Sequence, residues 1–292
     1  MKTLITGAAG MLGQDLVDAC VQRGHEVYPC ARDQLDVTDA EMCDEVLAEI
    51  RPEVVVNCAA WTDVDGAESD EAGAMLVNDT GAALLAGAAA RHGARVVYVS
   101  SDYVFDGDQR RPYLESDLTH PISAYGRSKA AGETSVAVAN PRHLIVRTSW
   151  LYGARGHNFV ETMLRLATEQ PEVIVVSDQV GTPTYTRHFA RALAELAESE
   201  DYGVHHVAAG GRCSWFDFAQ EIFDQAGSEC RVMAGTTDML ARPAPRPAFS
   251  VLASERAGAP ALPEWRQGLR EYLEERARLG DQQNQTASEA GT

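Results

Sequence analysis

Lysine is nearly missing from this chain of 292 residues: Lys2 and Lys129 stand alone, and every other basic residue among the 25 is an arginine. Positive charge as a whole is scarce, since 43 Asp and Glu leave a formal net charge of -18. A surface that acidic repels polyanions, which excludes a broad nucleic-acid interface or docking on an anionic membrane. No apolar run reaches the roughly 18 residues needed to cross a bilayer, so no membrane partner is expected. After Lys2 the apolar N-terminal stretch is broken by Gln14 and Asp15, too early for a secretory h-region. The six cysteines, Cys20, Cys30, Cys43, Cys58, Cys213 and Cys230, include no C-x-x-C pair and no metal-like spacing with the eight histidines. They read as small buried hydrophobes in a reducing cytoplasm, which disfavours a disulfide scaffold or a zinc site.

What remains is a globular protein, 45% hydrophobic and 23% charged. At roughly 150 residues per domain it makes one large domain or two closely joined ones. Its first half alternates short apolar runs with helical stretches, the pattern of a parallel sheet covered by helices. Strands are expected at 1–6, 26–31, 54–58, 95–100 and 143–149, with helices at 10–23, 40–50, a long Ala-rich 71–92, and one starting near Ser123. Beyond Trp150 the alternation loosens: helices at 159–169, 186–199, 215–227 and 262–279, and strands at 173–177 and 204–208. Arg242 to Pro247 reads as a proline-rich loop. From Gly280 the chain is so poor in apolar residues that a frayed tail over 280–292 is expected.

The first expected strand runs into Gly7-Ala8-Ala9-Gly10-Met11-Leu12-Gly13, glycines at spacing three and three ahead of a helix. In that setting Gly7 makes the tight turn, Gly10 lets backbone N–H groups approach a pyrophosphate, and Gly13 lets the helix pack on the strand. The helix terminus attracts phosphate without any lysine. An NAD enzyme places an acid at the end of the second strand, whereas this one ends Cys30-Ala31-Arg32. Arg32 suits a 2'-phosphate, so NADPH is favoured, with NADH possible. Asn57-Cys58-Ala59-Ala60 offers small side chains where a cofactor passes the backbone.

The fourth strand delivers Ser100-Ser101-Asp102-Tyr103 at its C-terminal end, the edge where open α/β sheets bind ligands. Tyr125 and Lys129 follow at i and i+4 on one helix face. The ammonium is expected to lower the phenol pKa and make Tyr125 a general acid. Ser101 can donate to the same substrate oxygen. Lys129 is the sole internal lysine in a chain that otherwise uses arginine, which points to a need for its compact charge.

Together the glycine triad, Ser101 and Tyr125-x-x-x-Lys129 resemble the extended short-chain dehydrogenase/reductases. Leu35 to Asp39, Asn57 to Asp65, Ser101 to Gly107, Arg147 to Gly153, Asp178 to Thr184, Cys213 to Trp215 and Arg242 to Pro247 resemble, more narrowly, the dTDP-4-dehydrorhamnose reductase family. The family more often has tyrosine at Trp61 and threonine at Ser101; both changes keep the shape or the hydroxyl. The resemblance implies an α/β fold: a Rossmann doubly wound parallel sheet over 1–149 with 183–212, and a smaller C-terminal α/β substrate-binding domain over 150–182 with 213–279. It implies hydride transfer from NADPH to C4 of dTDP-4-dehydro-L-rhamnose, with Tyr125 protonating the C4 oxygen, Lys129 holding the nicotinamide ribose and Ser101 orienting the ketone. Asp36 and Val37 would lie near adenine, and Ala59, Ala60 and Thr62 would line the pyrophosphate and nicotinamide passage. Asp102, Tyr103 and Trp150 would contact the sugar, and Arg246 would reach a nucleotide phosphate or cap a carbonyl. Some members form a dimer around magnesium; Asp15 matches one carboxylate ligand there, or serves as a helix-start carboxylate facing the dipole. The rivals are a nucleotide-sugar epimerase and a non-catalytic NADP-binding subunit resembling the regulatory subunit of methionine adenosyltransferase. Tyr103, where a dehydratase needs Glu beside the Asp, speaks against dehydration.

Overall fold

The computed structural model describes residues 1–290, with side chains to Leu279. Six strands form one parallel sheet: β1 (Lys2–Thr6), β2 (Glu26–Cys30), β3 (Val54–Asn57), β4 (Arg95–Ser101), β5 (His143–Thr148) and β10 (Gly203–His206), in the order β2-β1-β3-β4-β5-β10. Val54, Val55 and Val56 are completely buried, as a strand covered on both faces requires. Alternation along the strands divides the core in two. Ile5, Val54, Val56, Val97 and Val146 face α1 (Met11–Gln22) and α8 (Thr186–Glu198) through Leu12, Leu16, Phe189 and Leu193. Leu4, Val55, Val96 and Ile145 face α2 (Ala40–Ile50), α5 (Ala82–Arg91) and α6 (Ala124–Ala139) through Leu47, Leu85 and Val136.

The sheet reverses direction between β1 and β3: the chain builds outward to β2, then crosses back to β3 on the other side. That reversal opens a crevice at the carboxyl ends of the strands. A third apolar cluster, around Tyr152, Met163, Phe218, Trp265 and Tyr272, lies beyond it. It joins α7 (Phe159–Glu169), α9 (Trp215–Ala226) and the first turns of α11 (Trp265–Ala290). Here β7 (Glu172–Val176) pairs in parallel with β12 (Arg231–Gly235), a strand the sequence pattern does not announce because only Gly235 of it is buried.

Three elements depart from expectation. The long Ala-rich helix is broken into α4 (Glu71–Met75), a π-helical turn (Leu76–Gly81) and α5, and it is preceded by a short helix α3 (Val64–Ser69). Asp63 and Asp70 cap α3 and α4 by accepting from Gly66 and Gly73 N–H, which explains two starts in a stretch that reads as one polar loop and one helix. In the region read as a frayed tail, helix α11 continues to Ala290. Its Gln, Ala and Glu residues are good helix formers that extend a nucleated helix at little cost. The expected tail beyond Ala290 lies outside the described residues.

Candidate active site

The crevice is a cleft of about 850 Å³. At one end, Gly7 sits at φ +63, and a Cβ there would lie 2.7 Å from Ala59 N. A Cβ on Gly13 would fall 2.3 Å from Gly7 O, so α1 packs directly on the turn. Gly10 is the α1 N-cap, with no side-chain cap and no acid in the first turn, which leaves the first amides of Met11 and Leu12 to a ligand. The geometry fits a dinucleotide pyrophosphate, because any side chain at Gly7 or Gly13 would close the loop. Arg32, Asp36 and Val37 line the same end. Arg32 is 83% exposed and reaches Asp36 at 3.2 Å. Asp36 is held below its ordinary pKa first by the Thr38 hydroxyl and amide and then by Arg32.

Ala59, Ala60 and Thr62 form the middle of the cleft. The π-helical turn shapes this stretch: Asn78 accepts from Trp61 N–H at 2.9 Å and donates to Trp61 O and to Ser128 Oγ on α6. Such turns recur at functional sites because they re-aim one residue without breaking a helix. Asn78 was not among the candidate residues, and a polar residue in an Ala-rich helix was the only signal for it.

At the far end β4 and α6 converge. Ser123 caps α6 by accepting from Gly126 N–H at 3.1 Å, which sets the helix start beside the end of β4. Ser101, Asp102, Tyr103, Tyr125, Lys129 and Trp150 all line this end. Ser101 Oγ donates to Asp102 Oδ1 at 3.1 Å and accepts from Tyr103 N–H at 3.2 Å, and its hydroxyl also meets the Tyr125 phenol. Lys129 is 2% exposed; Nζ donates to Val99 O at 2.8 Å and lies 4.0 Å from the centre of the Tyr98 ring. Burial pulls its pKa down to about 7, against the charge of Glu133. Asp102 is pushed up to about 7, again by burial.

The expected lowering of the Tyr125 pKa by Lys129 does not occur. Burial pushes the phenol up to about 12, opposed only by the Ser101 hydrogen bond, because the ammonium is turned to Val99 O. A phenol with a pKa of about 12 carries its proton at neutral pH and remains a strong enough acid to protonate an alkoxide, which is the stronger base.

Four buried polar atoms on cleft residues lack any partner: Asn57 Nδ2, Asp102 Oδ2, Thr148 Oγ1 and Trp150 Nε1. All four are shielded from solvent, and Trp150 Nε1 sits over Gly181, so they lie behind the cleft wall and not on its surface. Trp150 adds backbone strain, with φ +46 in a bulky residue. Its ring stacks on Trp215 at 3.6 Å, a cleft residue that the sequence showed only as a helix start.

Two expected residues stand elsewhere. Arg246 is not among the lining residues: it caps Ala244 O, the second of the two expectations, pairs with Asp65 at 3.0 Å and hydrogen-bonds the phenol of Tyr103 at the cleft wall. Asp15 lies beyond the first turn of α1 and is 4% exposed, hydrogen-bonded by the Thr186 hydroxyl from α8, and its pKa is raised by burial. It therefore offers neither a helix-start carboxylate nor a surface ligand for magnesium. Among the described residues no group of three or more His, Cys, Asp or Glu could hold a metal ion. Within the same residues no helix is long and apolar enough to cross a membrane, and all six cysteines are free.

Comparison with known proteins agrees with this geometry. The family model described as "RmlD substrate binding domain" matches residues 1–278. The dTDP-4-dehydrorhamnose reductase of Streptomyces griseus is 45% identical over 280 residues, covering 92% of each chain. A Streptomyces antibioticus relative, named as a probable dTDP-4,6-dihydroxy-2-methyloxan-3-one 4-ketoreductase, is 44% identical over 279 residues, covering 93% of this chain and 94% of the relative. A solved dTDP-4-dehydrorhamnose reductase from Bacillus anthracis, in complex with NADP, superposes with a TM-score of 0.91 at 39% identity, over 94% of this chain and 99% of that one. The chain belongs to the RmlD family, that of the dTDP-4-dehydrorhamnose reductases.

Proposed function

We propose that this protein reduces the C4 ketone of dTDP-4-dehydro-L-rhamnose to give dTDP-L-rhamnose, with NADPH as the reductant. The observation that carries the reading is the convergence of Ser101, Tyr125 and Lys129 on the cleft that begins at the Gly7–Gly13 loop. NADPH, when bound, supplies the hydride that C4 receives. Tyr125 gives its phenolic proton to the C4 oxygen, and solvent restores it afterwards. Ser101 donates to the same oxygen and stabilises the charge that develops there, in the manner of an oxyanion hole. Lys129 supplies the cleft's buried positive charge and holds the ribose hydroxyls. Asp102, Tyr103 and Trp150 wall the sugar. Met11 and Leu12 amides receive the pyrophosphate, and Arg32 receives the 2'-phosphate that separates NADPH from NADH.

The division into a dinucleotide-binding unit (1–149 with 183–212) and a substrate unit (150–182 with 213–279) belongs to the same proposal, and separate apolar clusters on the two sides support it. A reducing cytoplasm suits its six free cysteines. A second reading keeps the chemistry and changes the sugar, since the Streptomyces antibioticus relative carries the name of a different 4-ketoreductase. The test is NADPH absorbance on mixing purified protein with each 4-keto sugar nucleotide, with NADH in parallel. Faster oxidation of NADPH with dTDP-4-dehydro-L-rhamnose supports the first reading, and preference for another 4-keto sugar supports the second. No oxidation of either cofactor with any of them contradicts both.

A further inference from the structure

One face of α6 carries a third polar residue. Tyr125, Lys129 and Glu133 fall at i, i+4 and i+8, a spacing that sets side chains above one another along a helix. Glu133 is 6% exposed, nearly as buried as Lys129. Its carboxylate is held from three directions: Oε1 accepts from Ser100 Oγ at 2.5 Å and from Arg147 Nε at 2.9 Å, and Oε2 accepts from Arg147 Nη2 at 2.7 Å. Arg147 is fixed in turn by His206, whose Nδ1 lies within 3.1 Å of two backbone carbonyls. The ring hydrogen therefore sits on Nδ1, and Nε2 accepts from Arg147 Nη1 at 3.3 Å. A buried ion pair of this kind is a weak source of stability, because desolvation offsets most of the attraction. Its placement two turns from Tyr125 calls for another reason.

Lys129 supplies that reason. Its ammonium has three donors and makes one hydrogen bond, to Val99 O of β4. Around it lie the Tyr98 ring from β4, the Cys58 thiol just past the end of β3, and Glu133 one turn further along α6, with Tyr125 one turn before it on the same face. Tyr125 and Cys58 are both pushed up to about 12 by burial and are neutral at ordinary pH. Glu133 is left as the charge that opposes the burial of Lys129.

We infer that Glu133 is a positioning residue: clamped by Arg147 and Ser100, its carboxylate keeps Lys129 an ammonium ion inside the cleft and so sets the pH above which the cleft loses its buried cation. The consequence for turnover rests on the reductase reading, but the charge state is measurable without substrate.

The near absence of lysine makes the test direct. Protein labelled with 13C-lysine shows two side-chain resonances, and a Lys2→Arg variant assigns the one from Lys129. Glu133→Gln preserves shape and removes charge; it should lower the Lys129 titration midpoint by about one pH unit, a tenfold change in the ammonium-to-amine ratio. The alkaline limb of kcat/KM for NADPH oxidation should move down with it, while rates below that limb approach the wild-type value, a recovery that a merely structural role would not produce. Should Glu133→Gln fail to fold, Glu133→Asp takes its place: it keeps a carboxylate for Arg147 but draws the charge back by one methylene, and the midpoint should fall by less than a full unit. An unchanged midpoint in the variant that folds overturns the inference. A wild-type protein whose Lys129 midpoint responds to Glu133, yet which oxidises NADPH with no 4-keto sugar, would sink the reductase reading and leave this one standing.

Discussion

The two cations of the cleft live in opposite surroundings. Arg32 stands 83% exposed at the adenosine end, and Lys129 is buried at the other. A guanidinium in water keeps its charge at every working pH, so Arg32 can select a ligand but cannot be switched. A buried ammonium is conditional: its charge depends on burial, on Glu133 and on pH. Binding discrimination is thus assigned to the end of the cleft where charge is permanent, and chemistry to the end where proton positions matter. The same contrast settles how so acidic a protein takes an anionic cofactor and substrate. Within the cleft, positive charge comes from a helix terminus, Arg32 and Lys129, in a chain whose net charge is -18.

Substitutions at the two ends should break that contrast in different ways. Tyr125→Phe should lower kcat by on the order of a hundredfold or more and leave the Kd for NADPH nearly unchanged, since a positioned acid contributes about that much. Stopped-flow hydride transfer and fluorescence titration of the cofactor separate the two quantities. Raising pH should act at the same end: above about 7, kcat/KM should fall by roughly tenfold per unit as Lys129 loses its proton. Asp102 ionises near the same pH and places a negative charge beside Ser101, which works in the same direction by opposing an alkoxide. A pH profile that is flat from 6 to 9, or that rises, would contradict both assignments.

At the exposed end, Arg32→Ala should raise KM for NADPH by about tenfold, the loss of one charge-assisted phosphate contact, and leave NADH untouched. Equal effects on the two cofactors would place Arg32 away from the 2'-phosphate. The smallest expected change is global. Molar salt should raise the melting temperature by a few degrees, since screening relieves the self-repulsion of the acidic surface. Thermal melts in dilute buffer and in molar salt decide this, and coincident curves would remove any link between the composition and a saline environment.

Much of this was legible in the chain. The parallel sheet followed from apolar runs such as Val54-Val55-Val56, and the glycine triad and Tyr125-x-x-x-Lys129 are local patterns tied to one turn and one helix face. What stayed hidden depends on partners remote in sequence. The unlowered pKa of Tyr125 results from the Val99 carbonyl drawing Lys129 away, and the ion pair of Arg246 is with Asp65. Trp215 enters the cleft only by stacking on Trp150, just past the end of β5, and β12 pairs with β7 through a register that its own residues do not encode. Glu133 was within reach: extending the i, i+4 count by one more step would have put a carboxylate on the catalytic face of α6.

The central claim is that this cleft carries hydride to a sugar C4 while Tyr125 supplies the proton. It is tested most directly with NADPH deuterated on the transferred position, dTDP-4-dehydro-L-rhamnose and NMR of the product. The account predicts dTDP-L-rhamnose with one deuterium at C4, formed by the wild-type protein and at a rate lower by on the order of a hundredfold by Tyr125→Phe. Product without deuterium at C4, or equal rates from the two proteins, would contradict it.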